Sequence, residues 1–287
     1  MSFAPPSGPP GQAAPPAAAA AAASSIAPMP TPSPFKHITA VTSGKGGVGK
    51  TFVAANLAAA LARVGKRVLV LDADLGLANL DVVLNLYPKI TLHDVFTGKS
   101  ALRDAILPAP GGFSVLLAGS GMVEYSRMTA EVREKLQALV AEVAPQFDHV
   151  LLDTGAGISD VVLYTVSLAG EVLIVATPEP TSLTDAYATI KVLATTQGRR
   201  RLHLLVNQVR RPGEGRGVRA QLQQVVERYV NPSLDIASGP VRLEWIGDVP
   251  IDPAVREAVQ RRQLLLEMMP GTPAALALVN AALKMPG

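Results

Sequence analysis

A glycine-rich octapeptide between an apolar run and an Ala-rich run constrains the fold of this chain more than any other feature. Residues 44–51 read GKGGVGKT and satisfy the pattern G-x-x-x-x-G-K-[ST]. The preceding residues 37–43 (HITAVTS) predict a short buried strand, and residues 51–64 predict a helix that stops at Gly65. A chance match to the pattern is the alternative, but the strand and helix on either side supply the context that a phosphate-binding loop requires.

The residue types in this loop suit the binding of nucleotide phosphates. Glycine allows successive backbone N–H groups to converge on phosphate oxygens, and the N-terminus of the following helix adds favourable potential for an anion. In such a loop Lys50 is expected to reach the β- and γ-phosphates, and the hydroxyl of Thr51 to ligate Mg²⁺.

Apolar strands alternate with helices along the rest of the chain. Such strands, connected by helices, are typical of a parallel sheet that is covered on both faces. We therefore predict an α/β fold with a doubly wound, mainly parallel sheet, in a single domain spanning residues 35–287. Further strands are predicted at residues 66–71, 113–118, 149–153, 171–177, 202–207 and 243–249, and helices at 129–143, 160–169, 184–195, 219–229, 253–262 and 273–284.

Residues 1–34 differ in composition from the rest of the chain. They contain 10 of the 24 prolines, together with Gly, Ser and an Ala run. Such a segment cannot bury enough apolar surface to offset the entropy of ordering it, so we expect a disordered arm, with at most a short helix at residues 17–23. A tether is the commoner role for such an arm, and docking to a partner is the alternative.

Composition excludes several classes of function. The 287 residues contain no cysteine, which rules out disulfides, thiol catalysis and cysteine-ligated iron–sulfur sites. The net charge of +3 does not by itself predict nucleic-acid binding. A basic signal-peptide start is missing, and the Ala run is too short to span a bilayer. We expect a cytoplasmic protein, with recruitment to the cell pole or to the inner face of the membrane left open.

Acidic residues follow two of the predicted strands. Asp72 and Asp74 come after one apolar run, and Asp153 ends another before the glycine-rich sequence TGAG (154–157). The carboxyl ends of parallel strands meet at the ligand crevice, where an Asp can bind Mg²⁺ directly or through water. The metal site is therefore predicted to comprise Thr51, Asp72 and Asp153. Asp153 is also compatible with capping the helix that follows it.

The run KGGVGKT (45–51) resembles the deviant Walker A loop of the MinD/ParA ATPases, and the run DADLGLANLD (72–81) resembles their D-x-D-x-G-L-x-N-L-D segment. The resemblance implies a doubly wound P-loop ATPase fold that uses ATP/ADP and Mg²⁺ and forms a homodimer with ATP. It implies that Lys45 crosses the dimer interface to the partner's phosphates, and that Asp74 orients the attacking water. Asn79 and Asp81 would shape the switch I loop.

The same resemblance places adenine-binding residues in the second half of the chain. It implies that Asn207, which ends a buried strand, reads the base, and that Pro250 and Asp252 lie over it. A turn Asn has the same appearance in the sequence. The predicted catalytic residues are Lys45, Lys50 and Asp74, and the predicted nucleotide-binding residues are Gly44, Lys45, Gly46, Gly47, Val48, Gly49, Lys50, Thr51, Phe52, Asn207, Pro250 and Asp252.

Within this class the chain is most similar to the flagellar number regulators of the FlhG (FleN) type. The runs DTGAGI (153–158) and, above all, EPTSLTDAY (179–187) carry that similarity. It implies two partners, a flagellar transcription activator of the FleQ type and the GTPase FlhF. Only Gln12 and Ala13 remain of the D-Q-A-x-x-L-R element that activates FlhF. Residues 274–284 carry one lysine, so we expect membrane association to be weak or absent.

Other features of the sequence allow alternative interpretations. A spatial-positioning ATPase for a division site, a plasmid or another cargo is the main alternative, whereas the lack of cysteine removes a metallocluster protein. The histidines at 37, 93, 149 and 203 lack metal-ligand spacing. Arginines cluster at positions 199–201, 210, 211, 216 and 219, which favours a solvated surface, with a regulatory or DNA contact as the alternative. Direct nucleic-acid binding is not expected, because no helix-turn-helix is evident and no aromatic residues are interleaved with the arginines.

Overall fold

A computed structural model describes residues 36–286, except Leu77, residues 120–124, Ser126, Ile236 and Ser238. The arm predicted at residues 1–34 lies outside the described residues. The strands are β1 (Ile38–Ser43), β2 (Val68–Ala73), β3 (Ile106–Pro108), β4 (Ser114–Leu116), β5 (His149–Ala156), β6 (Glu171–Ala176), β7 (Arg201–Val209) and β8 (Arg242–Pro250). The helices are α1 (Lys50–Arg63), α2 (Leu80–Leu84), α3 (Leu92–Phe96), α4 (Leu102–Ala105), α5 (Ala130–Val143), α6 (Asp160–Ser167), α7 (Pro180–Thr196), α8 (Glu214–Tyr229), α9 (Pro253–Gln260), α10 (Leu265–Met268) and α11 (Pro273–Ala282).

The strands form one eight-stranded sheet in the order β3-β4-β2-β5-β1-β6-β7-β8. Every neighbouring pair is parallel except β3 and β4, which are antiparallel at one edge. This arrangement confirms the predicted mainly parallel α/β fold. It also places the loop after β1 in the middle of the sheet, where the strands on its two sides connect in opposite directions.

Two apolar layers bury the two faces of the sheet. Alternating strand residues such as Leu69 and Val70 point to opposite sides, as the period of two in a strand requires. Helices α5 to α8 pack on one face through residues such as Leu136 and Ile190. Helices α1, α9, α10 and α11 cover the other face through residues such as Leu57 and Leu278. Both faces of the sheet are therefore excluded from water, which explains why the strand sequences are continuous apolar runs.

Several elements differ from the sequence-based expectation. The sequence-based prediction lacks five short elements, because segments of three to five residues carry too little periodicity to detect. They are helices α2, α3, α4 and α10 and strand β3. Helix α8 begins at Glu214 rather than at residue 219, although two glycines lie in its first turn. One of these, Gly215, is required by packing, since a Cβ there would lie 1.6 Å from Asp248 Oδ1.

The arginine cluster is not uniformly a solvated surface. Arg199 is buried, and its guanidinium donates to the carbonyl oxygens of Val166, Ala169 and Gly170 at the end of α6. It therefore serves as a C-terminal cap for that helix. In the part of the chain that the structure describes, no helix is long and apolar enough to cross a membrane.

Candidate functional site

The loop between β1 and α1 has the backbone conformation that its glycines predict. Gly47 and Gly49 adopt positive φ angles of 78° and 90°, which other residues rarely tolerate. Gly44 must lack a side chain for a different reason, because a Cβ there would lie 2.2 Å from the backbone of Asp185 in α7. The loop thus packs directly against α7, and its conformation depends on glycine at each of these positions.

Lys50 projects from the first residue of α1 toward two acids. Burial lowers the pKa of its ammonium group, and the charges of Asp153 and Asp74 act in the opposite direction. A cation held in this partly desolvated position interacts more strongly with an added anion than it would in water. The position of Lys50 at the helix N-terminus therefore suits phosphate binding.

Asp72 and Asp153 face each other on neighbouring strands at the same edge of the sheet. They are paired in the parallel register of β2 and β5, and both are buried. Burial raises the pKa of Asp153 to about 6, whereas the hydrogen bond from Thr51 and the charge of Lys50 act to lower it. Burial and the neighbouring Asp153 charge raise the pKa of Asp72 well above its usual value. Two desolvated carboxyls this close are electrostatically unfavourable without a cation.

The donor set at this position fits Mg²⁺. Asp153 Oδ1 is buried and has no hydrogen-bond partner among the described residues, although buried carboxylate oxygens are normally paired. The hydroxyl of Thr51 interacts with the same carboxylate and lowers its pKa. A hydroxyl and a carboxylate beside a phosphate loop are the oxygen ligands that Mg²⁺ takes together with nucleotide phosphates.

Asp74 lies against Gly155, near the end of β5. Its Oδ1 would be 3.3 Å from a Cβ at Gly155, and its charge reaches Lys50, Asp72 and Asp153. The amide of Gly157, in the loop after β5, donates to Ser43 O at 2.8 Å and so connects that loop to the end of β1. Asp74 therefore belongs to the same constellation as the loop lysine and the two buried acids.

Lys45 has partners within its own chain. Its Nζ donates to Thr181 Oγ1 at 2.9 Å and lies 3.3 Å from Glu179 Oε2. Both partners are at the N-terminus of α7, and all three side chains are partly or fully exposed. The expected reach of Lys45 across a dimer interface remains a prediction, and it would require the lysine to leave these contacts.

The predicted adenine-binding residues make structural contacts. Asn207 Nδ2 donates to Val48 O at 2.8 Å, and its Oδ1 accepts from the Gln208 amide. Asp252 accepts from the amides of Ala254 and Ala274, so it caps both α9 and α11. Base recognition by Asn207, Pro250 and Asp252 therefore remains a prediction.

Sequence reasoning missed the residues that hold the loop in place. In the sequence, Glu179, Thr181 and Asp185 carry a family resemblance but no sign of a contact with the loop, and the same holds for Asn207. Nothing local to these residues signals the contacts, because each joins segments more than 130 residues apart.

The family model named ParA, described as NUBPL iron-transfer P-loop NTPase, matches residues 34–285. The chain belongs to the ParA/MinD family of P-loop NTPases. The absence of cysteine from its sequence means that this member of the ParA/MinD family cannot bind an iron–sulfur cluster through cysteine ligands.

Curated relatives in the ParA/MinD family include two flagellar proteins. The antiactivator FleN of Pseudomonas aeruginosa is 44% identical over 247 residues, which cover 86% of this chain and 85% of FleN. The flagellum site-determining protein YlxH of Helicobacter pylori is 34% identical over 80% of this chain and 75% of YlxH.

A solved structure extends the similarity to three dimensions. MinD of Pyrococcus horikoshii complexed with Mg-ADP has a TM-score of 0.66 and is 29% identical, covering 86% of this chain and 94% of that one.

Proposed function

We propose that this protein is a slow, regulatory, Mg²⁺-dependent ATPase that is monomeric without ATP and dimeric with it. The buried oxygen of Asp153 that lacks a hydrogen-bond partner, beside Thr51 and Lys50 at the glycine loop, is the observation that carries the proposal. Thr51 and Asp153 would hold Mg²⁺, with Asp72 close to the cation or its waters. Bound Mg²⁺ would supply positive charge at the β- and γ-phosphate oxygens.

The remaining polar residues of the site have separate tasks in this proposal. The loop amides and Lys50 bind the phosphates of the nucleotide in the same subunit. Asp74 accepts a hydrogen bond from the attacking water and orients it. Lys45 leaves Glu179 and Thr181 and reaches the phosphates in the partner subunit, where it stabilises the charge that develops in the transition state.

We further propose that the ATP-dependent switch regulates flagellar number and placement. The relative named antiactivator FleN, similar over most of both chains, supports a flagellar transcription activator of the FleQ type as one partner. The relative named as a flagellum site-determining protein supports a role in placement, for which the GTPase FlhF is the proposed second partner. A MinD-type ATPase that positions a division site or other cargo is the second candidate, supported by MinD relatives such as that of Bacillus subtilis.

Substitution of Lys50 by Ala tests the nucleotide site. Loss of the principal cation should weaken ATP binding by at least 100-fold, because a charge-assisted contact to a phosphate in a partly desolvated site contributes about 3 kcal/mol or more. Isothermal titration calorimetry of ATP with and without Mg²⁺ gives the affinities, and Lys66→Ala on the exposed surface is the control. An affinity of Lys50→Ala within threefold of wild type would contradict the site.

Flagellar counts separate the two biological candidates. In the organism that carries this gene, deletion should change the number of flagella per cell, and wild-type protein but not Lys50→Ala should restore it. Normal flagella together with misplaced division septa would instead support the positioning candidate.

A further inference from the structure

The side chain of Asn79 does not cap the helix that it precedes. Asn79 is the N-cap residue of α2, a position at which Asn normally accepts a hydrogen bond from its own helix, yet its side chain makes no such bond. The Val82 amide, at the third position of the helix, donates instead to Asp81 Oδ1 at 2.8 Å, and the Leu80 amide donates to Asp72 Oδ2 at 3.3 Å. Asn79 Oδ1 is thereby free of its usual local role, and it accepts a hydrogen bond of 3.1 Å from Thr51 Oγ1.

The contact between Asn79 and Thr51 matters for metal binding because a hydroxyl has only one hydrogen. When a hydroxyl oxygen ligates a cation through a lone pair, its hydrogen must point at an acceptor on the other side. Asp153 and Asn79 are the two groups that the structure places against the Thr51 hydroxyl. The carboxylate of Asp153 is needed by the cation, so the neutral amide of Asn79 is the acceptor that remains.

We propose that Asn79 is a positioning residue for Mg²⁺ binding. Asn79 orients the Thr51 hydroxyl so that the lone pairs of the hydroxyl oxygen face the metal. It also couples metal binding to the conformation of α2. This inference rests on the proposed Mg²⁺ and ATP site.

Helix α2 is well placed to respond. It has five residues, and two of the contacts at its N-terminus, from Asp72 and through Asn79, originate in the proposed metal site. The surface that begins on α2 includes Val82, which is 48% exposed, and Tyr87 just beyond it, which is 80% exposed. Metal binding would therefore change the order of a surface that carries exposed apolar side chains.

The test compares Asn79→Leu, which removes the acceptor at similar size, with Asn79→Asp, which keeps an oxygen acceptor. The binding of a fluorescent ATP analogue is titrated with Mg²⁺, and its affinity is also measured in EDTA. Asn79→Leu should raise the Mg²⁺ concentration for half-maximal effect about fivefold, since one hydrogen bond contributes about 1 kcal/mol. Its affinity in EDTA should stay within twofold of wild type, and Asn79→Asp should restore the Mg²⁺ dependence.

Hydrogen exchange of the α2 amides provides a second readout that does not depend on turnover. Mg²⁺ with the ATP analogue should protect these amides in the wild type and in Asn79→Asp, but not in Asn79→Leu. Val82→Gly is the control for a loosened helix, because it lowers helix propensity and leaves the acceptor in place. It should keep the wild-type Mg²⁺ dependence. Circular dichroism melting verifies folding, and Asn79→Ala replaces Asn79→Leu if the larger side chain prevents folding.

Three results would overturn the inference. The first is an unchanged Mg²⁺ dependence in Asn79→Leu. The second is a loss of affinity of Asn79→Leu in EDTA that equals its loss with Mg²⁺. The third is a Val82→Gly variant that reproduces the effect of Asn79→Leu. If the wild type itself shows no Mg²⁺-dependent binding, the proposed function fails as well, so the two failures can be distinguished.

Discussion

At the scale of single residues, the structure shows the neighbours of Lys45 and Asp74, and the roles of both residues are proposals. Lys45 is an exposed lysine paired with Glu179 and Thr181, and a surface ion pair of this kind contributes at most about 1 kcal/mol. Asp74 lies against Gly155, near the end of β5, and its charge acts on Lys50 and Asp153. Substitution of each separates the proposed role from an ordinary structural one.

Lys45→Ala should still bind ATP, because Lys50 and the loop amides belong to the same subunit. ATP-dependent dimerisation and hydrolysis should be lost together, since the missing charge acts in the other subunit's site. Nucleotide affinity by fluorescence and mass by light scattering are measured on one preparation, with Lys66→Ala as the control. A Lys45→Ala protein that dimerises and hydrolyses ATP at the wild-type rate would eliminate the intersubunit role.

Asp74→Ala should bind ATP with near wild-type affinity, hydrolyse it at least 100-fold more slowly and remain dimeric with ATP and Mg²⁺. The reason is that general base or water-orienting groups contribute about 10²- to 10⁴-fold to rate without contributing to ground-state binding. Phosphate release and light scattering measure the two properties. Normal turnover, or a protein that stays monomeric, would remove Asp74 from the proposed role.

At the scale of elements, one carboxylate joins two helices. Asp252 accepts from the Ala254 amide at 2.9 Å and from the Ala274 amide at 3.1 Å, at the first turns of α9 and α11. Both alanines are buried, so neither amide can turn to water when the carboxylate is removed. The contact with α11 joins residues that are 22 positions apart in the chain.

Asp252→Ala should lower the free energy of unfolding by about 2 kcal/mol, since it leaves two buried amides unpaired and the loss of a single cap costs about 1 kcal/mol. Urea denaturation followed by circular dichroism gives the value. Asp104→Ala, at an exposed position in α4, is the control and should change stability by less than about 0.5 kcal/mol. Equal values for the two variants would show that Asp252 does not cap both helices.

At the scale of the whole molecule, the domain has its own core on both faces of the sheet. Among the described residues, the two apolar layers contain buried side chains from Ile38 to Ala282. Residues 1–34 have the composition of a segment that does not order by itself, so we expect the domain to fold without them.

Deletion of residues 1–34 should change the melting temperature by less than about 2 °C and leave the affinity for ATP within twofold. For a domain of this size about 1 kcal/mol corresponds to roughly 2–4 °C, so a larger drop would show that the arm packs on the domain. Differential scanning fluorimetry and calorimetric titration on the full-length and shortened chains provide the comparison.

The sequence by itself determined the fold class, the loop at residues 44–51 and the acids in the C-terminal halves of β2 and β5. These features are local: apolar residues that recur with a regular period, a glycine pattern of fixed spacing, and a carboxylate directly after an apolar run. Only the tertiary structure decided that Asn207 donates to the loop, that Lys45 lies against Glu179 and Thr181, and that Asn79 accepts from Thr51. Those contacts join segments that are distant in the chain, and the physical reason that they form is the order of the strands in the sheet, which no short window of sequence contains.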